Sequence, residues 1–229
     1  MANNTLQIHL NTSDAKKLNG SFNSFLEFNL PLVQRESYYT IYISLAHANI
    51  PYSFYAINET NNKLQYNIIS FDNQTLETYS VILTPGNYTS TTIILELQHL
   101  LGPNFIITYS EITNKLTFKH ITNNFIFVYS NNSILKVLGF DITYNLFYSL
   151  NRTLTPLYML NLYTIRCLCI NTTFITENLM SNTNLNSSIL CTIPINTTPF
   201  TLINYINLID HKCNLDSNVF NNIIIKITD

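Results

Sequence analysis

Residues 105–120 read FIITYSEITNKLTFKH, and this stretch decides the fold class. β-Branched and aromatic side chains dominate 105–109 and 115–120, and the polar run 110–114 separates them. Such residues favour extended strands, and a short polar connection between two of these runs predicts a β-hairpin. We expect residues 124–129 to add a third strand to the same small sheet.

A helical spacing of apolar residues precedes this hairpin. Five side chains recur at the intervals of one helical face: Ile93, Ile94, Leu97, Leu100 and Leu101. Ser90 is the candidate N-cap, and Gly102 followed by Pro103 predicts the end of the helix. With a strand at 76–83 before this helix and a short helix at 134–138 after the hairpin, residues 73–140 form a predicted α+β unit.

The rest of the chain predicts strands alone. Segments rich in β-formers and bounded by polar loops occur at 5–10, 24–30, 38–46, 64–69, 160–173, 188–195, 201–208 and 222–228. Alternation with period two builds sheets that have one buried face. We therefore expect a mainly β chain in which residues 1–72 and 141–229 form a β-sandwich, with the α+β unit inserted or appended.

The composition excludes one class of function and favours another. Charged residues make up only 10% of the chain, and 11 Lys and Arg against 13 Asp and Glu leave a net charge of −2. No basic field exists to bind phosphate backbones, so nucleic-acid binding is not expected. Because charge normally keeps a surface soluble, a chain that is 46% hydrophobic predicts a surface covered by permanent partners.

The sequence also predicts the compartment and the state of the thiols. The first residues have no basic segment followed by an apolar one, so we expect no signal peptide. The most apolar window, 157–170, is interrupted by Asn161 and Arg166 and is too short to span a bilayer. We therefore expect no membrane span and reduced cysteines.

Residues that could bind a metal or catalyse a reaction also have simpler roles. The candidate metal ligands are four cysteines, with His211 near the last of them: Cys167, Cys169, Cys191 and Cys213. Their spacing differs from that of structural zinc sites, and buried free cysteine is common, so we predict no metal and keep this set as the alternative. Scattered histidines and isolated glycines match no catalytic or cofactor motif, so we expect no catalytic residue, no cofactor and no enzyme activity.

An aromatic cluster follows the strand predicted at 38–46. Residues 50–55 read IPYSFY and hold Tyr52, Phe54 and Tyr55 within four positions. Exposed aromatic side chains of this kind are typical hot spots of protein interfaces. The alternative is a buried aromatic plug under the sandwich.

Several different short motifs follow one another along most of the chain. They are Ser44-Leu45, IPYSFY at 50–55, Asn61-Asn62, PGNYT at 85–89, LGF at 138–140, SILCTIP at 188–194 and IIIKITD at 223–229. In this order and spacing they resemble the jelly-roll minor capsid and penton proteins of virophages, Polinton-like viruses and nucleocytoplasmic large DNA viruses.

The resemblance implies a jelly-roll-like sandwich and a structural role in the virion. It implies a minor capsid or penton subunit, assembled inside the host cell, that forms homo-oligomers such as pentamers and contacts the major capsid protein and other capsid subunits. The alternative is a virion-surface binding module, of fibre or lectin type, that recognises a host glycan or receptor. Such a module needs exposed aromatics around a cleft, and Tyr144, Phe147 and Tyr148 are the candidate residues.

Overall fold

The computed structural model describes residues 6–18, 25–34, 41–69, 75–172, 189–209, 212–214 and 219–228. In chain order the strands are β1 (Lys16–Lys17), β2 (Phe25–Gln34), β3 (Tyr42–Ile43), β4 (His47–Pro51), β5 (Lys63–Ile69), β6 (Thr75–Ile82), β7 (Phe105–Ser110), β8 (Lys115–His120), β9 (Asn124–Val128), β10 (Leu146–Tyr148), β11 (Thr153–Leu154), β12 (Cys167–Thr172), β13 (Ile189–Pro194), β14 (Leu202–Ile206), β15 (Cys213–Asn214) and β16 (Val219–Thr228). Helix α1 spans Ser90–Leu101, and short 3-10 helices span Thr12–Asp14 and Ile134–Lys136.

The chain divides into two compact units. Unit 1 comprises Met1–Tyr52 and Ile165–Asp229, and unit 2 comprises Ser53–Thr164. In sequence, unit 2 is one continuous segment that separates the two segments of unit 1. The expected limits at 73 and 140 fall inside unit 2, because β5, β10 and β11 pair with strands of that unit.

Unit 1 is built on a five-stranded antiparallel sheet. Its strand order is β1-β2-β16-β12-β13, so the strand at 25–34 pairs with the last strand of the chain. Alternation along β2 buries Leu26 and Phe28 against Ile223 of β16, and Ile43 of β3 packs against this cluster. Two antiparallel ribbons, β4 with β14 and β3 with β15, complete the unit. Pairing between strands so distant in sequence is typical of Greek-key sandwiches, including jelly rolls.

Unit 2 encloses the largest hydrophobic core of the described residues. A four-stranded sheet, β10-β9-β5-β6, and a three-stranded sheet, β11-β8-β7, contribute to it together with α1. Alternation along β8 buries Leu116 and Phe118, whereas α1 buries Ile93, Leu97 and Leu101. The aromatic rings pack edge to face, as between Phe118 and Phe127, whose ring centroids lie 5.0 Å apart.

This architecture confirms the predicted fold class. The chain is mainly β, with several antiparallel sheets, a sandwich-like unit and a small α+β unit. The helix and the hairpin lie where the sequence predicted them, at Ser90–Leu101 and at β7–β8. The predicted helix at 134–138 is a 3-10 helix at Ile134–Lys136.

Several local predictions were wrong. In the strand predicted at 160–173, residues 160–166 form no strand, and β12 begins at Cys167. The strand at 124–129 pairs with β5 and β10 and not with the hairpin, because β11 occupies the free edge of β8. The N-cap of α1 is Thr89 and not Ser90, because Thr89 and Thr92 form a reciprocal capping box. Residues 6–10 form no strand, since they lack a ladder partner in the described part of the chain. Some predicted strand ends lie outside the described residues: Thr5, Ser24, Tyr38, Thr173 and Ser188.

Candidate interaction sites

An apolar strip lies on unit 1, along and after β14. We define it by five exposed side chains, which are between 53% and 87% accessible: Phe200, Leu202, Ile206, Leu208 and Ile209. Alternation along β14 turns Ile203 into the core and leaves Leu202 and Ile206 exposed. Residues 200–209 contain no Lys, Arg, Asp or Glu, so no charged residue interrupts the strip along the chain.

The strip begins at a strained residue. Phe200 has φ +66°, a left-handed conformation that aromatic residues rarely adopt. Its N–H donates to the Tyr52 carbonyl (3.0 Å), and the Tyr52 N–H donates to the Thr201 carbonyl (2.9 Å). These backbone bonds hold the turn in which Phe200 lies, and its ring is 80% exposed. Strain of this kind, of order 1–3 kcal/mol, clusters at binding and catalytic sites.

The aromatic cluster at 52–55 is divided between the two units and differs in exposure. Tyr52 is buried, Phe54 is half-buried, and Tyr55 is 43% exposed. The Phe54 carbonyl accepts a hydrogen bond from the side-chain amide of Asn87 (3.1 Å). Of the three aromatic residues, Tyr55 offers the most surface to a partner.

A cleft of about 320 Å³ opens on unit 2, and we call it the aromatic cleft. Its lining includes Phe140, Asp141, Tyr144, Phe147, Tyr148 and Leu157. The three aromatic residues predicted in this region, Tyr144, Phe147 and Tyr148, therefore lie together. Strand β10 positions Phe147 and Tyr148 by pairing with β9, and Phe147 packs on the buried Phe140 with ring centroids 4.9 Å apart. The sequence did not predict the wall at residues 154–157, which follows β11.

The polar groups of the aromatic cleft are few. Oδ1 of Asp141 accepts hydrogen bonds from the backbone N–H (3.1 Å) and the hydroxyl (2.9 Å) of Thr143. Within the described residues, Oδ2 of Asp141 and the hydroxyls of Tyr144 and Tyr148 have no hydrogen-bond partner. The lining contains no Lys, Arg or His. The cleft can therefore accept hydrogen bonds from a ligand and donate hydrogen bonds to it. A cation lies beside the lining at Lys115, whose ammonium donates to the carbonyl of the lining residue Leu157.

The four cysteines lie in unit 1, and none of them forms a disulfide. Cys167 and Cys169 share one face of β12, as expected for residues two apart on a strand, and both are half-buried. Cys191 and Cys213 are buried, and the Cys213 thiol donates to the Leu190 carbonyl (3.7 Å). Burial, with the neighbouring Cys213 and Cys169, raises the pKa of Cys191 to about 11.

The remaining candidates for metal binding or catalysis are the histidines and the acidic side chains. In the described ranges, no three His, Cys, Asp or Glu side chains lie close enough together to hold a metal ion. His211 lies outside those ranges. His120 is buried against Phe105, with ring centroids 4.9 Å apart, and burial lowers the pKa of its imidazole. Its Nδ1 accepts the Asn123 N–H (3.0 Å), so the ring closes the turn between β8 and β9. No helix in the described part of the chain is long and apolar enough to cross a bilayer.

Comparison with known proteins finds a structural neighbour but no sequence relative. No family model matches the chain, and no curated protein is similar to it in sequence. Among solved structures, the crystal structure of the selenomethionine-labelled mavirus penton protein is similar to this chain at 11% sequence identity. The match covers 87% of this chain and 83% of the penton protein, with a TM-score of 0.47.

Proposed function

We propose that this protein is a structural subunit of a virion capsid, a minor capsid or penton subunit. In this proposal it associates with copies of itself and contacts the major capsid protein, after assembly inside the host cell. The apolar strip is the observation that carries the proposal. Five exposed apolar side chains without an intervening charge are what a permanent interface buries, and an isolated soluble protein seldom exposes such a run.

Two further features support this proposal. The first is the ordered set of motifs that resembles jelly-roll minor capsid and penton proteins. The second is the scarcity of charge, since the described residues contain one ion pair, between Lys16 and Glu27 (3.7 Å). Asn and Thr can satisfy polar groups at an interface without the cost of burying a charge. In the described part of the chain, β1 and β13 are the outer strands of the five-stranded sheet, and outer strands are further candidate surfaces for pairing in an assembly.

The experiment compares the solution mass of the wild type with that of two variants. One variant replaces Leu202, Ile206 and Leu208 of the strip by Ser, and the control replaces Ile112, which is 95% exposed on the hairpin turn of unit 2, by Ser. We expect light scattering to give a multiple of 26.4 kDa for the wild type and the Ile112→Ser control, and a smaller species for the strip variant. Negative-stain images of a pentamer would show a five-fold ring.

Circular dichroism must show that all three proteins keep the same strand content. A wild-type monomer that also fails to bind major capsid protein would contradict the proposal. An assembly that the strip variant retains would contradict the role of the strip.

One observation favours a second candidate function, that of a binding module on the virion surface. The aromatic cleft has the exposed tyrosines that such a module requires. The two functions are compatible, because the strip lies on unit 1 and the cleft on unit 2.

A further inference from the structure

We propose that the aromatic cleft of unit 2 binds a neutral sugar ring, as part of a glycan. The inference rests on the second candidate function and is independent of assembly through the apolar strip. Three properties of the cleft support it: the walls are preformed, the aromatic surface suits a sugar, and the polar groups suit a neutral ligand.

The cleft is built on regular elements that hold its shape. On one side, β10 pairs with β9 in register, with Phe147 opposite Phe127 and Tyr148 opposite Ile126. On the other side, the Thr155 hydroxyl bonds to that of Thr117 (2.9 Å), and Lys115 Nζ donates to the Leu157 carbonyl (2.5 Å). A ligand therefore meets fixed walls, which lowers the entropy lost on binding.

The volume and the aromatic surface suit a small ring that has one apolar face. A cavity of about 320 Å³ is at the lower end of the range for small-molecule pockets. Tyr144 is 63% and Tyr148 62% exposed, so both rings are accessible to a ligand. The C–H groups of a pyranose form an apolar face that packs on such rings. Tyrosine has few rotatable bonds, so ordering it costs little entropy.

The polar groups of the aromatic cleft favour a ligand that carries hydroxyls and no charge. A sugar presents hydroxyls at its rim, and these can bond Oδ2 of Asp141 and the hydroxyls of Tyr144 and Tyr148. A carboxylate forms stronger hydrogen bonds with hydroxyl donors than a neutral acceptor does. Phosphates and acidic sugars would meet the Asp141 charge, and the Lys115 ammonium beside the wall already donates to the Leu157 carbonyl. An apolar peptide side chain would leave these polar groups without partners, so it fits less well.

The test titrates the full-length chain with neutral sugars. The probes are the methyl pyranosides of glucose, galactose and mannose, together with N-acetylglucosamine and N-acetylgalactosamine. Binding is followed by saturation-transfer NMR and by the chemical shifts of the tyrosine rings. We expect at least one probe to saturate in the millimolar range, with shift changes at Tyr144 and Tyr148.

Matched variants locate the binding. We expect Tyr148→Ala and Tyr144→Ala to weaken the affinity by about tenfold. Asp141→Asn should weaken it while its amide oxygen still accepts the Thr143 N–H. The control Tyr163→Ala removes a tyrosine of unit 2 that is 78% exposed and lies outside the cleft, and should leave the affinity unchanged.

Two results would overturn the inference. One is the absence of a saturable signal with every neutral probe, and the other is binding that survives both Tyr144→Ala and Tyr148→Ala. Binding of sialic acid or of an aromatic peptide in place of neutral sugars would overturn the sugar assignment while sparing the second candidate function. The solution mass of Tyr148→Ala, measured in parallel, keeps a failure of assembly distinguishable from a failure of sugar binding.

Discussion

Asparagine supplies much of the turn chemistry that glycine supplies in other β proteins. The chain has 34 asparagines and only 4 glycines, and Asn114, Asn132 and Asn151 adopt positive φ. The Asn87 side chain also holds the segment at which unit 2 begins. Its Oδ1 accepts the Ala56 N–H (2.8 Å), and its Nδ2 donates to the Phe54 carbonyl. An Asn side chain can both adopt left-handed backbone and bond neighbouring peptides, so it can replace glycine at turns.

Gly139 is the position where asparagine cannot substitute for glycine. Its φ is +94°, and a Cβ atom there would lie 2.3 Å from the Tyr158 carbonyl oxygen. We expect Gly139→Ala to lower the free energy of unfolding by about 2–4 kcal/mol, because both the backbone and the contact become strained. Urea unfolding measures this change.

Gly86→Ala is the matched control for this substitution. A Cβ atom at Gly86 would meet Tyr88 at 3.5 Å, an ordinary van der Waals contact. We expect a change of less than about 1 kcal/mol, since surface changes without strain are small. Equal losses for the two variants would show that the Tyr158 contact has no role.

Cys191 makes stability depend on pH in the alkaline range. The pKa of its thiol rises from an ordinary value of 9.0 to about 11 in the folded chain, so the folded state favours the protonated thiol. That stabilisation is complete below about pH 9 and is lost as the pH rises to about 11. A rise of this size corresponds to about 2–3 kcal/mol.

The measurement is the difference between wild type and Cys191→Ala in the free energy of unfolding across this range, with a reductant present. We expect the wild type to lose about 2 kcal/mol more than the variant. The control Cys167→Ala, on the half-buried face of β12, should follow the wild-type curve. Parallel curves for wild type and Cys191→Ala would contradict this linkage.

At the scale of elements, the sequence predicts local structure better than pairing. The β7–β8 hairpin and α1 are specified by contacts between neighbours in the chain, so periodicity and turn residues suffice to find them. The partner of β9 is not encoded in its alternation, because Phe125 and Phe127 would be buried equally well beside several strands. The extra strands β10 and β11 have only three and two residues, and such short segments show no periodicity.

The candidate sites are predictable to the same limited extent. The sequence marks the tyrosines at 144 and 148 as residues that a binding module would use, and the structure brings them to one cleft. The opposite wall at 154–157 follows β11, whose pairing with β8 joins residues more than 30 positions apart. The apolar strip lies in a predicted strand, but Leu202, Ile203 and Ile206 are all apolar, so alternation alone could not identify the exposed face.

At the scale of the whole molecule, unit 2 has the features of an independent insertion. Its two ends adjoin, since the Thr164 hydroxyl donates to the Ala56 carbonyl (3.0 Å). Its core is complete without unit 1, as every residue of that cluster lies between Ile57 and Leu162. Domains with adjoining termini can be inserted in a surface loop of another domain with little disturbance to either.

We therefore expect residues 53–164 expressed alone to fold. The fragment should unfold cooperatively in urea and show dispersed amide signals, because its helix and two sheets share one core. Asn87→Ala should lower the free energy of unfolding of both the fragment and the full-length chain by about 1–3 kcal/mol. The substitution removes the two hydrogen bonds from the Asn87 side chain to the first residues of unit 2. Asn131→Ala, which removes an exposed side chain without a hydrogen bond in the described structure, should leave both unchanged. A fragment that unfolds without cooperativity would contradict the independence of unit 2 and would indicate that its core forms only within the complete chain.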